Sequence, residues 1–284
     1  MAASSNILVI QSFQVKPYEK ALKGFKSICK ADITRIILSK NKDVDIVTKI
    51  NNSIVDLFFT IGISALSKVK KAKVNKKLQQ TPVIYSMVLN PEPLISDMKQ
   101  ITGISLNIPQ DKKLKLITKI MPSVKRIGLL YCPKTTGHIA KSAIKAARQN
   151  GIKMIVLKTD SPKKVPVIIK TLIGKIDLFW MLPDLTLYTS ETVEALFLFS
   201  FENKIPVLTF SKKYIKMGAL ISIGIDAEDI GCQAGEMAKK ILAGEKIENI
   251  KRSNARRAVV SINYKIAEKL KIPINKKNIR EKNP

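Results

Sequence analysis

A single histidine, His138, stands in a chain whose serines, threonines and carboxylates gather in short polar clusters. Any Ser-His-Asp or Cys-His site would have to use it, and no nucleophile elbow or paired-carboxylate motif accompanies it. GxxxxGK[ST] and GxGxxG cradles, HExxH and EF-hand spacing are all missing from the sequence. Cys29, Cys132 and Cys232 are odd in number and form no CxxC pair, so neither a disulfide framework nor a zinc site is expected. The expectation is a protein that is not an enzyme and carries no cofactor or metal.

The polar clusters suit binding instead. Helix starts attract carboxylate or phosphate through their backbone N–H groups. Ile63-Ser64-Ala65 and Thr135-Thr136 are expected to offer such starts, with hydroxyls beside free amides. Asp184 and Asp226 would present unpaired carboxylates to a ligand ammonium, and Asn90 a neutral donor and acceptor. Ser12-Phe13-Gln14 follows a strand, where Phe13 either stacks on a ligand or packs. Each residue also has a plain role, since hydroxyls cap helices and aspartates close turns. Only their convergence on one cleft favours binding.

The elements that must position these clusters alternate along the chain. Apolar runs at 7–10, 33–38, 57–60, 83–88 and 101–106 are separated by helix-length amphipathic stretches. The rhythm pauses at Asn107-Ile108-Pro109, which reads as a hinge crossing, and resumes at 126–131, 153–157, 177–182, 206–210 and 219–225. Continuous apolar runs alternating with helices indicate parallel strands buried on both faces. Two such sets imply two doubly wound α/β lobes, with ligands at the carboxyl ends of the strands. Helices are expected over 17–30, 44–52, 64–78, 111–121, 138–150, 162–173, 191–203, 228–242 and 264–270, with Ser64 as an N-cap and Gly151 and Gly244 as stops. A further apolar run covers 258–262, and mid-strand Phe179 and Trp180 are expected in the core.

The net charge of +28 on 284 residues invites a nucleic-acid reading. The excess is lysine, however, with arginine only at Arg35, Arg126, Arg148, Arg252, Arg256, Arg257 and Arg280. Arginine supplies the forked contacts to guanine and phosphate, so its scarcity argues against specific nucleic acid. The densest cluster, Lys68, Lys70, Lys71, Lys73, Lys76 and Lys77, ends one helix, where cations suit the dipole. A solvated surface is the first reading; adhesion to an anionic membrane or wall is the second. No apolar run approaches the roughly 20 residues of a membrane span. The opening, Met1 to Asn6, has neither the basic nor the apolar region of a secretory signal.

A series of motifs then resembles a known family. Met121-Pro122-Ser123-Val124-Lys125-Arg126-Ile127-Gly128-Leu129-Leu130-Tyr131, followed by Cys132-Pro133, is similar to a stretch of ABC-transporter substrate-binding proteins whose group includes aromatic amino acid binders. Thr81-Pro82-Val83-Ile84-Tyr85 through Asn90-Pro91, Ile101-Thr102-Gly103-Ile104-Ser105, Lys204-Ile205-Pro206-Val207 and Met217-Gly218-Ala219-Leu220 agree in order and spacing. So do Asp229-Ile230-Gly231-x-Gln233-Ala234-Gly235-x-Met237-Ala238 and Ile241-Leu242-Ala243-Gly244-Glu245-Lys246.

The resemblance implies a type I periplasmic-binding-protein fold with three crossovers. The first lobe would hold residues 6–107 and take the chain back at 227–250; the second would hold 108–226, with the third crossover and tail at 251–284. It implies an extracytoplasmic monomer that takes a small amino-acid-like ligand to an ABC permease, its signal or lipid anchor absent from this chain. The loops implicated contain Ser12, Phe13, Gln14, Ser64, Ala65, Ser86, Asn90, Thr135, Thr136, Asp184, Thr186 and Asp226. Where many relatives carry Thr-Asp-Pro, this chain has Leu89-Asn90-Pro91, one hydroxyl and one negative charge fewer. An amino acid anchored by Asp226 alone and a less cationic ligand both remain open. A sensory module feeding a receptor or kinase is the alternative function; a repressor would need a DNA-binding segment before residue 6.

Overall fold

The structure is a computed structural model that describes residues 5–40, 45–46, 48 and 54–275. The helix expected over 44–52 and the lysine-rich end beyond 275 fall largely or wholly outside the described residues. Two compact units form, Met1–Ile108 with Ile225–Arg257 and Pro109–Gly224 with Ala258–Pro284, so the chain passes between them three times.

The first unit is built on six parallel strands: β1 (Asn6–Gln11), β2 (Asp32–Ile37), β3 (Leu57–Ile61), β4 (Val83–Val88), β5 (Ile101–Ser105) and β11 (Ser253–Asn254). Their order is β11-β5-β4-β3-β1-β2. Helices α1 (Lys16–Ile28), α2 (Ile63–Ala72), the single turn α3 (Glu92–Ile95) and α8 (Ala227–Leu242) belong to this unit. Alternate side chains of each strand serve opposite faces, as the pleat requires. Ile7, Val9, Phe59 and Ile84 meet α1 and α8, whereas Leu8, Ile10, Phe58 and Tyr85 meet α2. The apolar runs therefore do not alternate with polar residues, because both faces are covered. Phe25 of α1 stacks on Phe59 with ring centroids 4.1 Å apart. A fully buried side chain of this size contributes roughly 1.5–3 kcal/mol.

Helices α1 and α8 approach so closely that only hydrogen fits between them at three points. A Cβ on Gly24 would lie 2.0 Å from the Glu228 carbonyl oxygen, and one on Gly231 1.9 Å from that of Ala21. Gly235 sits one turn further along the same seam, against Phe25 and Ile28.

The second unit contains β6 (Arg126–Tyr131), β7 (Lys153–Lys158), β8 (Leu178–Met181), β9 (Val207–Thr209), β10 (Ile221–Ile225) and β12 (Ala258–Ile262), in the order β12-β10-β9-β8-β6-β7. The pairs among β6, β7, β8, β9 and β10 are parallel. Its helices are α4 (Gln110–Ile120), α5 (Gly137–Gln149), α6 (Val165–Lys170), α7 (Ser190–Asn203) and α9 (Tyr264–Lys269). Phe179, Met181 and Val207 form one core with Val165 and Ile169 of α6 and Leu196 of α7. Phe179 and Trp180 are buried, as expected. Asp177, held by the Arg126 side chain and by the N–H groups of Lys125 and Arg126, pins the start of β6.

Several helix ends differ from expectation. Helix α2 begins at Ile63 with Gly62, not Ser64, at its N-cap, and stops at Ala72; a 3-10 turn over Lys76–Leu78 takes the remaining length. Gly62 has φ +94°, and a Cβ there would meet the Tyr18 hydroxyl at 2.6 Å, so glycine alone serves. The stretch expected as one helix over 162–173 is a 3-10 turn, Pro162–Lys164, followed by the short α6. Strand β11 has two residues and no sequence pattern to announce it.

Candidate ligand-binding site

In the first sheet β4, β3 and β1 are neighbours and parallel, so their carboxyl ends form one edge. The loops carrying Ser12 to Gln14, Ser64 and Ala65, and Ser86 to Asn90 all leave from that edge. Hydrogen bonds stitch them together. Ser12 donates its N–H to Ile61 and its hydroxyl oxygen accepts the Ala65 N–H, each at 2.9 Å. The Gly62 N–H reaches the Ser86 carbonyl, also at 2.9 Å. Ser86 is fully buried and its hydroxyl donates to the Thr60 carbonyl.

Ser12, Ala65 and Ser86 therefore build the edge from within. Phe13, Gln14 and Ser64 are exposed on it, and Asn90 is half-buried. Phe13 is 52% exposed, so it does not pack into the core, and it does not line the groove described below.

Beneath Phe13 lies a polar cluster that sequence reasoning missed. The buried Gln11 amide donates to the Phe13 carbonyl and to Glu19, and its oxygen accepts from Arg35, which also pairs with Glu19. The Gln11 hydrogen bond, opposed by burial and reinforced by Arg35, holds the Glu19 carboxyl below the usual range. Strand register gives the one available hint, since Gln11 and Ile37, two residues beyond Arg35, lie side by side on β1 and β2.

A groove of about 720 Å³ opens within this unit, lined by Leu38, Ile63, Ser64, Ser67, Lys68, Lys71, Asn90, Pro93 and Leu94. It brings together two residues expected from the sequence, Ser64 and Asn90. Small-molecule sites commonly occupy about 300–1,000 Å³ with apolar walls and a few placed polar groups.

The second unit joins the ends of β6 and β8, which are also adjacent. Here the expectation of an unpaired carboxylate fails. Asp184 is 1% exposed and surrounded by donors. One of its oxygens accepts the Cys132 N–H and the hydroxyls of Thr135 and Thr136; the other accepts the N–H groups of Thr186 and Leu187. Five donors leave no valence for a ligand ammonium. The amides of Thr135 and Thr136 are not free either, as both donate to the Cys132 carbonyl. Asp184 fixes the shape of two strand-end loops, leaving Thr135 and Thr136 held by their hydroxyls and Thr186 exposed. The separation of about fifty residues between partners hides this from any local pattern.

Asp226 follows β10 and is the N-cap of α8, one carboxylate oxygen accepting the Asp229 N–H at 3.2 Å. It is half-buried. His138 lies exposed in the first turn of α5, and Cys29, Cys132 and Cys232 are all free thiols. Among the described residues no group of His, Cys, Asp and Glu could hold a metal ion, and no helix is long and apolar enough to cross a membrane.

A family model described as ABC transporter substrate binding protein matches residues 18–282. The chain belongs to this family. As a substrate-binding protein it shares a family that binds small-molecule solutes rather than transforming them and works with ABC permeases outside the cytoplasm. The series of motifs implied the same membership.

A tyrosine-binding protein of Clostridioides difficile is 26% identical over 198 residues, 66% of this chain. That match spans only 56% of the curated relative's length. A ligand-free, open structure of a Clostridium difficile substrate-binding protein with adhesive properties superposes with a TM-score of 0.77 at 23% identity, covering 96% of both chains. An ABC domain from Streptococcus pneumonia in complex with L-Trp gives 0.67 at 21% identity over 98% of both chains. These likenesses show the two-unit α/β fold of periplasmic binding proteins.

Proposed function

We propose that this substrate-binding protein captures an amino acid or amino-acid-like molecule for an ABC importer, acting as an extracytoplasmic monomer. Ligand would meet one lobe first, and contacts from the second would then favour a closed state recognised by the permease. The observation that carries the reading is the edge formed by β1, β3 and β4. Three loops leave it side by side, tied by backbone bonds, with Ser64 and Asn90 facing a groove of small-molecule size. The tyrosine-binding relative and the L-Trp complex support an amino-acid-like ligand.

The ligand's differential contacts with the two states must supply the whole shift in population. A thermal-shift screen against amino acids, their 2-oxo and amine analogues, sugars and nucleobases tests the reading. Ligand at about 100 times its dissociation constant adds roughly 2.7 kcal/mol of stability, a readily visible shift. Small-angle scattering should then report a smaller radius of gyration with ligand. Stabilisation by sugars or nucleobases alone, or an unchanged radius, would overturn the proposal.

A further inference from the structure

The groove has a charge character that the solute-binding function does not by itself require. Its walls are Leu38, Ile63, Pro93 and Leu94, and among the described residues its polar groups include Lys68 and Lys71 but no carboxylate. Ser64, Lys68 and Lys71 are spaced i, i+4 and i+7 on α2, and Ser67 precedes Lys68, so the helix turns one polar face toward the groove. Neither groove lysine has an acidic partner among the described residues, whereas neighbouring Lys70 is paired with Asp97. The third side of the groove is Asn90, a neutral amide.

Neither carboxylate expected to meet an ammonium lines this groove. Asp184 is saturated by five donors, and Asp226 spends an oxygen on the cap of α8. A groove with apolar walls, two cations without an acidic partner among the described residues, two hydroxyls and an amide is complementary to one kind of guest. We propose that the ligand is a net-negative carboxylate with an apolar body, its acid group held by Lys68 and Lys71 beside Ser64 and Ser67. The inference rests on the amino-acid-like reading above and narrows it: the carboxylate is required and the ammonium is not. The two cations sit at a partly open site, so their attraction is screened as ionic strength rises.

Three probes share one aromatic body and carry a carboxylate alone, a carboxylate with an ammonium, and an ammonium alone: phenylpyruvate, L-phenylalanine and phenethylamine. Calorimetric titration of the full chain should find phenylpyruvate tightest by about tenfold or more, which is about 1.4 kcal/mol, and phenethylamine weakest. Its affinity should fall with added salt. The Lys68→Gln/Lys71→Gln double variant should lose about tenfold for phenylpyruvate and little for phenethylamine. Lys76→Gln/Lys77→Gln removes the same charge from exposed positions outside the groove and should change neither.

Tighter binding of L-phenylalanine than phenylpyruvate, with no response to the groove lysines, would overturn this inference and leave the amino-acid reading standing. Equal losses in both double variants would reduce the effect to overall charge and overturn it too. Binding of no probe, together with no hit in the wider amino-acid screen, would sink both readings.

Discussion

Asp184→Asn is close to isosteric, yet it removes an acceptor from a carboxylate that serves five donors. Asparagine keeps one acceptor oxygen. If that oxygen stays with the N–H groups of Thr186 and Leu187, the new amide NH2 faces the Cys132 N–H and two threonine hydroxyls. Hydroxyls can rotate and accept, but the Cys132 N–H cannot. The flipped amide merely exchanges one orphaned N–H for two. Leaving a buried donor unsatisfied costs about 1–3 kcal/mol, and the remaining bonds lose their charge assistance. The sum is a destabilisation of about 2–4 kcal/mol. For a protein of this size that lowers the melting temperature by roughly 5–15 °C. Urea unfolding of wild type, Asp184→Asn and Thr135→Val would measure it, with Thr135→Val expected to cost far less because it removes a single, partly exposed donor. A change below about 0.5 kcal/mol for Asp184→Asn would refute the account of Asp184 as the keystone of these loops.

Other perturbations probe different parts. Gly231→Ala should cost several kcal/mol in denaturant unfolding, because its Cβ meets backbone at 1.9 Å, whereas Gly151→Ala has open space and only a positive φ to resist it. Ser12→Ala should cost about 0.5–2 kcal/mol by orphaning the Ala65 N–H, and amide exchange at Ala65 should quicken. Lys113 lies 5.8 Å from the ring of Trp180, the sole tryptophan, and burial pushes its ammonium down to about 8. Tryptophan emission should therefore titrate near that pH and cease to do so in Lys113→Met. Because the folded value lies below the ordinary 10.5, the cost of burying this cation is fully present below about 8 and fades as pH rises toward 10.5. Burial pushes the Asp177 carboxyl up, but the Arg126 hydrogen bond and two backbone N–H groups outweigh it and hold it below its usual value. Its contribution is thus present above the ordinary carboxylate range and lost as pH falls through the folded value, a loss that Asp177→Asn should abolish in acid unfolding.

Strand positions were legible because a strand buried on both faces is apolar on both, and β1, β3, β4, β6 and β8 each carry an apolar run with only isolated polar residues. Positions of the candidate loops followed from the same rule. The roles of their residues did not. Asp184 reads locally as a turn aspartate, and only its donors from 48 to 52 residues away show what it does. Ser64 looks like a cap, but Ser12, brought alongside by strand pairing, takes the helix-start amide instead. Asp226 does stand at a legible cap position, and the cap competes for the charge that sequence reasoning assigned to a ligand. Strand β11 is too short for periodicity to reveal.

The glycine seam between α1 and α8 also dictates an order of events in biosynthesis. Helix α1 leaves the ribosome early, but its partner lies some two hundred residues downstream, beyond most of the second unit. Until then Ile7, Val9, Phe25 and Phe59 have no α8 to cover them, and the sheet lacks the closing strand β11. The second unit has β6 to β10 in hand by residue 225, but it waits longer still, for β12 and α9, which follow α8 and β11. Neither unit therefore finishes packing until the stretch after residue 224 has been made, so both stay incomplete together, a state that chaperones can hold.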